Sequence, residues 1–162
     1  MGMAVGLASA RSFALAAEEA DLHIASNTYP WGTFAKRQGV DLALHTDALL
    51  ADMVKTGVNG YEPIIHGPGE FKGLGERLKR HGLEMRSLYV NSVVHDAAKA
   101  EESIEQVMAI GRAALSVGTK IIVTNPSPIR WGGPEDKNDS QLRVQAAALE
   151  ELGRQLGKIG LT

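Results

Sequence analysis

Three asparagines, Asn27, Asn91 and Asn125, each stand where a short apolar run gives out. A carboxamide both donates and accepts hydrogen bonds, which suits hydroxyl-rich ligands. Asparagine also opens turns, because its side chain bonds nearby backbone. One such residue means little, whereas three at matching places set a shared site on a level with turn initiation. Glu62 adds a carboxylate beside Pro63 near the end of another apolar run. It could accept hydrogen bonds from a polyol or a metal-bound water, or pair with a cation at the rim. His66 and His95 follow the second and third runs. Imidazole titrates near neutrality, so either could be a general base or metal ligand, or simply sit on a surface loop. Tyr29, Trp31 and Trp131 are loop aromatics in a chain with only 5% aromatic residues. They could stack on the apolar faces of sugar rings or plug loop cavities. Arg130 and Lys137 could recognise a phosphate, or lie in solvent.

Other groups read as structural. His45 and His81 flank helices, and Asp96 precedes one as a cap. His23 alternates with core positions and could face the interior. No nucleophile elbow, zinc-helix motif, phosphate loop or dinucleotide fingerprint is present.

Strands must carry these residues. Ile121-Ile122-Val123 is β-branched throughout and reads as a strand buried on both faces. Three prolines and two adjacent glycines then make residues 125–138 a long loop, the kind of segment where α/β folds hold function. The pattern predicts further strands over residues 22–26, 61–65 and 83–90. A loop is expected from Asn27 to about His45. Helices are expected over residues 46–56, 69–81 and 98–116, and from Asn138 or Asp139 onward. Their stripes are Leu49, Leu50, Met53 and Val54; Phe71, Leu74 and Leu78; Ile104, Val107, Met108, Gly111 and Leu115; and Leu142, Leu149, Leu152 and Leu156. Gly57, Gly82 and Gly118 each end a helix and lead into a strand, and Gly160-Leu161 repeats the cue.

This alternation predicts parallel strands with helices outside. The expected fold is α/β, a parallel (β/α)4 half of a TIM barrel that stops before strand five. One domain covers residues 21–162, after an irregular or signal-like lead-in over residues 1–20. Within the lead-in, Ala14-Leu15-Ala16 resembles the small-residue pattern before a signal-peptidase cut, but the basic flank is missing. The expected location is therefore cytoplasmic, or exported if residues 1–17 end a signal peptide.

At 44% hydrophobic and 22% charged, the composition is that of a globular domain. A net charge of −2 advertises no nucleic-acid partner. No run approaches the roughly 18 apolar residues that would span a membrane. The absence of cysteine excludes disulfides, thiolate metal sites and a cysteine nucleophile.

The strand-one exit SNTYPWGTF, Gly60-Tyr61-Glu62, IIVTNPSPIRWGG and the pattern Gln145…Leu149-Glu150-Glu151-Leu152-Gly153 carry a resemblance. Over residues 21–162 the chain resembles the N-terminal half of the xylose-isomerase-like sugar phosphate isomerase/epimerase barrels. The resemblance implies metal-dependent proton transfer on a small sugar or polyol in a completed barrel. It implies a divalent cation (Mn, Mg, Co or Zn) held by strands five to eight, and so none on this chain alone. Substrate contacts are expected from Asn27, Trp31, Glu62, His66, Asn91, Asn125 and Trp131, with no catalytic residue assigned. The alternative is a non-catalytic half-barrel fragment or binding module that self-associates across its exposed edges.

Overall fold

The computed structural model describes residues 22–162, so the lead-in over residues 1–20 lies outside the described residues. It is a mixed α/β structure with parallel strands in two small sheets and five α-helices.

Strand β1 (Ala25–Asn27) passes directly into helix α1 (Thr28–Arg37). This corrects the loop expected between Asn27 and His45. Asn27 caps the helix, its Oδ1 accepting from Tyr29 N at 2.8 Å. Pro30 lies in the first turn, where an N–H has no intrahelical acceptor to lose. A 3-10 turn (Leu42–His45) leads into α2 (Thr46–Lys55), which buries Leu49, Leu50 and Met53 while Val54 stays 41% exposed. Strand β2 spans Gly60–Glu62. The helix expected from residue 69 is broken in two, a 3-10 turn (Pro68–Phe71) and α3 (Leu74–His81). The break is Gly73, whose φ of 70° is a left-handed conformation that interrupts a right-handed helix. Between α2 and α3, the Arg80 guanidinium and then His81 hold the Asp47 carboxyl below its ordinary range.

Strand β3 (Ser87–Ser92) precedes α4 (Ala100–Ala114), and Asp96 Oδ1 accepts from Ala98 N just ahead of that helix. Strand β4 (Ile121–Pro126) and the long loop lead to α5 (Asp139–Lys158). Asn138 caps α5 by a reciprocal box, bonding Gln141 N while the Gln141 side chain bonds Asn138 N, both at 3.0 Å. Leu152 and Leu156 are buried as their spacing predicts, but Leu142 is 46% exposed.

β1 pairs with β2 in parallel, Asn27 opposite Glu62. β3 pairs with β4 in parallel, Asn91 opposite Asn125. Parallel bridges Gly60–Glu84 and Ile64–Tyr89 link the two pairs, so the four strand segments neighbour one another in chain order. Beyond α5, Leu161 enters the core, and Thr162 lies alongside β4. Its N–H donates to Lys120 O at 3.0 Å, and Ile122 N donates to its carbonyl at 2.8 Å.

Alternation along β3 sorts the side chains. Leu88 and Val90 are buried, in one core with Leu50, Met53, Val107, Ile110 and Leu152 from the helices. Ser87, Tyr89 and Asn91 point to the opposite face. No helix among the described residues is long and apolar enough to cross a membrane.

Gly60 is a point of close approach. A Cβ there would stand 2.7 Å from Ala25 Cβ and 2.9 Å from Ala25 Cα, with the His23 ring nearer still. Backbone cannot yield as a side-chain tip can, so Gly60→Ala must push β1 off β2. The expected cost is about 1–3 kcal/mol, read by urea denaturation. An unchanged midpoint would show that β1 contributes little to stability.

Tyr61 makes a second test. Burial, with Glu70 adding its charge, pushes the phenol up to about 12. The unfolded phenol ionises at roughly pH 10. The folded state therefore holds its proton longer, and stability present below the unfolded value is lost as pH rises through the folded one. Denaturation curves on the alkaline side should show this loss, and Tyr61→Phe should flatten it.

Candidate functional site

Parallel strands deliver their C-terminal ends to the same side of a sheet, which is where α/β folds place ligands. Here those ends bring Asn27, Asn91 and Asn125 together. With Tyr29, Ile64, Tyr89 and Trp131 they line a cleft of about 510 Å³. Asn125 Nδ2 donates to Asn91 Oδ1 at 3.1 Å. That bond fixes both amides and leaves each with free donor and acceptor capacity. Tyr29 and Trp131 are 71% and 63% exposed, so their ring faces are available to a ligand.

Asn27 is more committed. Its Oδ1 caps α1, and its Nδ2 donates to Glu62 Oε1 at 3.2 Å. Glu62 Oε2 accepts from Ser87 Oγ. Glu62 does not itself line the cleft. It sits half-buried on the same sheet face, tied to Asn27 on β1 and to Ser87 on β3. A carboxylate in such a position must be satisfied by hydrogen bonds, and these two donors do so.

Two other residues marked from the sequence stand elsewhere. Trp31 is on α1, with Nε1 donating to Ser26 Oγ at 2.9 Å and its ring packed against the core. His66 is exposed after β2; its backbone N donates to Glu70 Oε1 at 2.7 Å and its carbonyl accepts from Gln106. Both cations marked for phosphate are engaged. Arg130 pairs with Glu135 at 2.6 Å, and Lys137 Nζ donates to Gln145 Oε1 at 2.6 Å. His23 lies beside Gly60, its Nε2 3.9 Å from Glu84 Oε2.

The cleft also includes Ile64 and Tyr89, which the sequence reading did not single out. The signal was present for Tyr89. It alternates with the apolar Leu88 and Val90 and is two residues from Asn91, so it shares the face of that asparagine.

Among the described residues, no group of three or more His, Cys, Asp or Glu side chains could hold a metal ion. No carboxylate lines the cleft, and both oxygens of the neighbouring Glu62 already accept hydrogen bonds. These residues do not fit a divalent cation. The arrangement suits reversible hydrogen bonding to several hydroxyls, with the exposed rings of Tyr29 and Trp131 in the same lining. No protein-family model matches the chain, and no curated protein is similar to it at a significant level.

Proposed function

We propose that the chain forms four β/α units of a TIM-barrel half, similar to the xylose-isomerase-like sugar phosphate isomerases and epimerases. Its strand-end cleft binds a small sugar or polyol. The observation that carries this reading is the meeting of Asn27, Asn91 and Asn125 with Tyr29 and Trp131 in one cleft. Amides satisfy hydroxyls as donors and as acceptors, and aromatic faces cover the apolar side of a ring. Strand order supports the barrel reading, as does the backbone of Thr162, which runs where a fifth parallel strand would pair with β4.

In this reading the residues of this chain bind and orient the substrate. Proton-transfer isomerisation belongs to a completed barrel. The cleft residues do not fit a metal ion, and binding there rests on amides and aromatic rings.

The test is a titration of the full chain with pentoses, hexoses, inositols and their phosphates, followed by ligand-observed NMR. Saturable binding by one class is expected, weakened at least about tenfold by Asn91→Ala or Asn125→Ala, roughly 1.4 kcal/mol. Binding by none of the panel, or binding indifferent to both substitutions, would sink the proposal.

The second reading, a self-associating half-barrel module, has its own support. Among the described residues β1 pairs with β2 alone, and Ile24 just before β1 and Ile121 at the start of β4 are 55% and 47% exposed. Open strand edges invite pairing with another chain. Sedimentation of the chain by itself should therefore show a concentration-dependent rise in mass. A monomer at all concentrations would remove this reading and leave the binding cleft as the whole proposal.

A further inference from the structure

The strand-end cleft is lined by amides, aromatic rings and one aliphatic side chain, and among the described residues none that lines it is charged. Such a lining treats a free sugar and its phosphate ester very differently. A phosphate monoester carries about −1.5 to −2 charge at neutral pH. Taking that charge out of water is costly unless a cation or a full set of donors meets it.

The cations that border the cleft are engaged elsewhere. Arg130 precedes the lining residue Trp131, but its guanidinium is held by Glu135 at 2.6 Å. Lys137 Nζ donates to Gln145 Oε1 at 2.6 Å and to Pro126 O at 3.4 Å. Beyond Trp131 a separate cavity is lined by His95 and Lys99. There Lys99 stands 3.5 Å from Asp96, and His95 is buried with its Nδ1 enclosed.

The balance of charge around the cleft is negative. Glu62 neighbours the lining residue Asn27, and its oxygens are held by the neutral donors Asn27 Nδ2 and Ser87 Oγ. The depression that continues past Asn125 and Trp131 is lined by Glu135, Asp136 and Lys137. Glu62, Glu135 and Asp136 outnumber Arg130 and Lys137. Hydroxyls suffer no penalty in this setting. Asn91 and Asn125 bond each other at 3.1 Å and keep donor and acceptor capacity for a neutral ligand.

We propose that the cleft selects uncharged sugars or polyols and rejects their phosphate esters, a specificity that rests on the polyol reading of this cleft. Charge and not size makes the distinction, through carboxylates around a neutral lining and cations that are already occupied. Discrimination of this kind works by repelling the wrong ligand as much as by fitting the right one.

The experiment titrates the full chain with D-ribose, D-glucose and myo-inositol, each alongside its monophosphate ester, by ligand-observed NMR at matched ionic strength. Whichever neutral compound saturates the cleft should bind at least about tenfold tighter than its ester. Tyr29→Lys tests the cause. Tyr29 is 71% exposed in the lining, so a lysine there adds a cation without repacking the core. Against the neutral control Tyr29→Met, it should narrow the gap between sugar and ester several-fold. Added salt should narrow the gap in the unsubstituted chain by screening. An ester that binds as tightly as its neutral parent would overturn this proposal and leave the polyol cleft standing. A gap equal in Tyr29→Lys and Tyr29→Met would overturn its electrostatic cause, and the proposal with it. Binding by neither form would remove the cleft reading itself together with this specificity.

Discussion

Leu88→Ala is expected to lower the unfolding free energy by about 2–5 kcal/mol. Leu88 is completely buried on β3, the strand that pairs with β4 and is bridged to the β2 segment. Its side chain shares the core with residues from α2, α4 and α5. Truncation removes apolar surface from that core and leaves a cavity that the paired strands cannot collapse to fill. A domain of ordinary stability holds only about 5–15 kcal/mol, so this one substitution should consume a large share. Leu142→Ala is the matched control. Leu142 is 46% exposed, and its loss should stay within about 0.5 kcal/mol. Urea or guanidinium denaturation of both variants gives the comparison. Equal effects would mean that β3 is not the packing centre.

Much of this architecture is legible in the sequence because two signals agree. The β-branched runs mark strands, and the glycines after the helices mark where each chain reversal ends. Gly57, Gly82, Gly118 and Gly160 all have positive φ, between 65° and 87°. Strand ends are less legible, because sheet pairing rather than apolar content decides them. Leu22 and Ile24 look like strand residues, yet they are 70% and 55% exposed, and β1 begins only at Ala25. Helix α1 was hidden for a different reason. Tyr29-Pro30-Trp31-Gly32 has turn chemistry, and Ala35 is the one buried residue of the helix, so no apolar stripe exists to be seen. Asn27 and the harmless position of Pro30 decide in favour of the helix instead.

The candidate site divides along the same line. That three asparagines share one end of the sheet follows from parallel strands alone. Which of the marked aromatics joins them does not. Trp31 and Trp131 are both loop-like in the sequence, but α1 turns the Trp31 ring toward the core, where Ser26 takes its N–H. Trp131 remains on the long loop and lines the cleft. His66 follows β2 as its position predicts, but its backbone is held by Glu70 and Gln106, and it does not line the cleft. The pairing of Glu62 with Ser87 required knowing that the β2 and β3 segments are neighbours, which one strand's pattern cannot reveal.

Glu62 carries the largest expected effect on binding. Glu62→Ala leaves Asn27 Nδ2 and Ser87 Oγ without their acceptor. An unsatisfied group in such a position costs about 1–3 kcal/mol. The functional loss goes further, because Asn27 both caps α1 and forms one wall of the cleft. Released from Glu62, its amide is held only through the cap bond from Tyr29 N, and its Nδ2 is free to shift. Polyol affinity in Glu62→Ala should therefore fall at least about tenfold. Glu62→Gln should behave differently. Its carbonyl can still accept from Asn27, and its NH₂ can donate to Ser87 Oγ, which is able to accept instead of donate. The charge is lost while the geometry survives, so affinity should stay within a few-fold of the original. This pair of variants separates two roles for the carboxylate. If Glu62 holds Asn27 in place, glutamine rescues binding. If its negative charge meets the ligand directly, both variants lose binding alike, and the cleft must extend deeper than the line from Asn27 to Asn125.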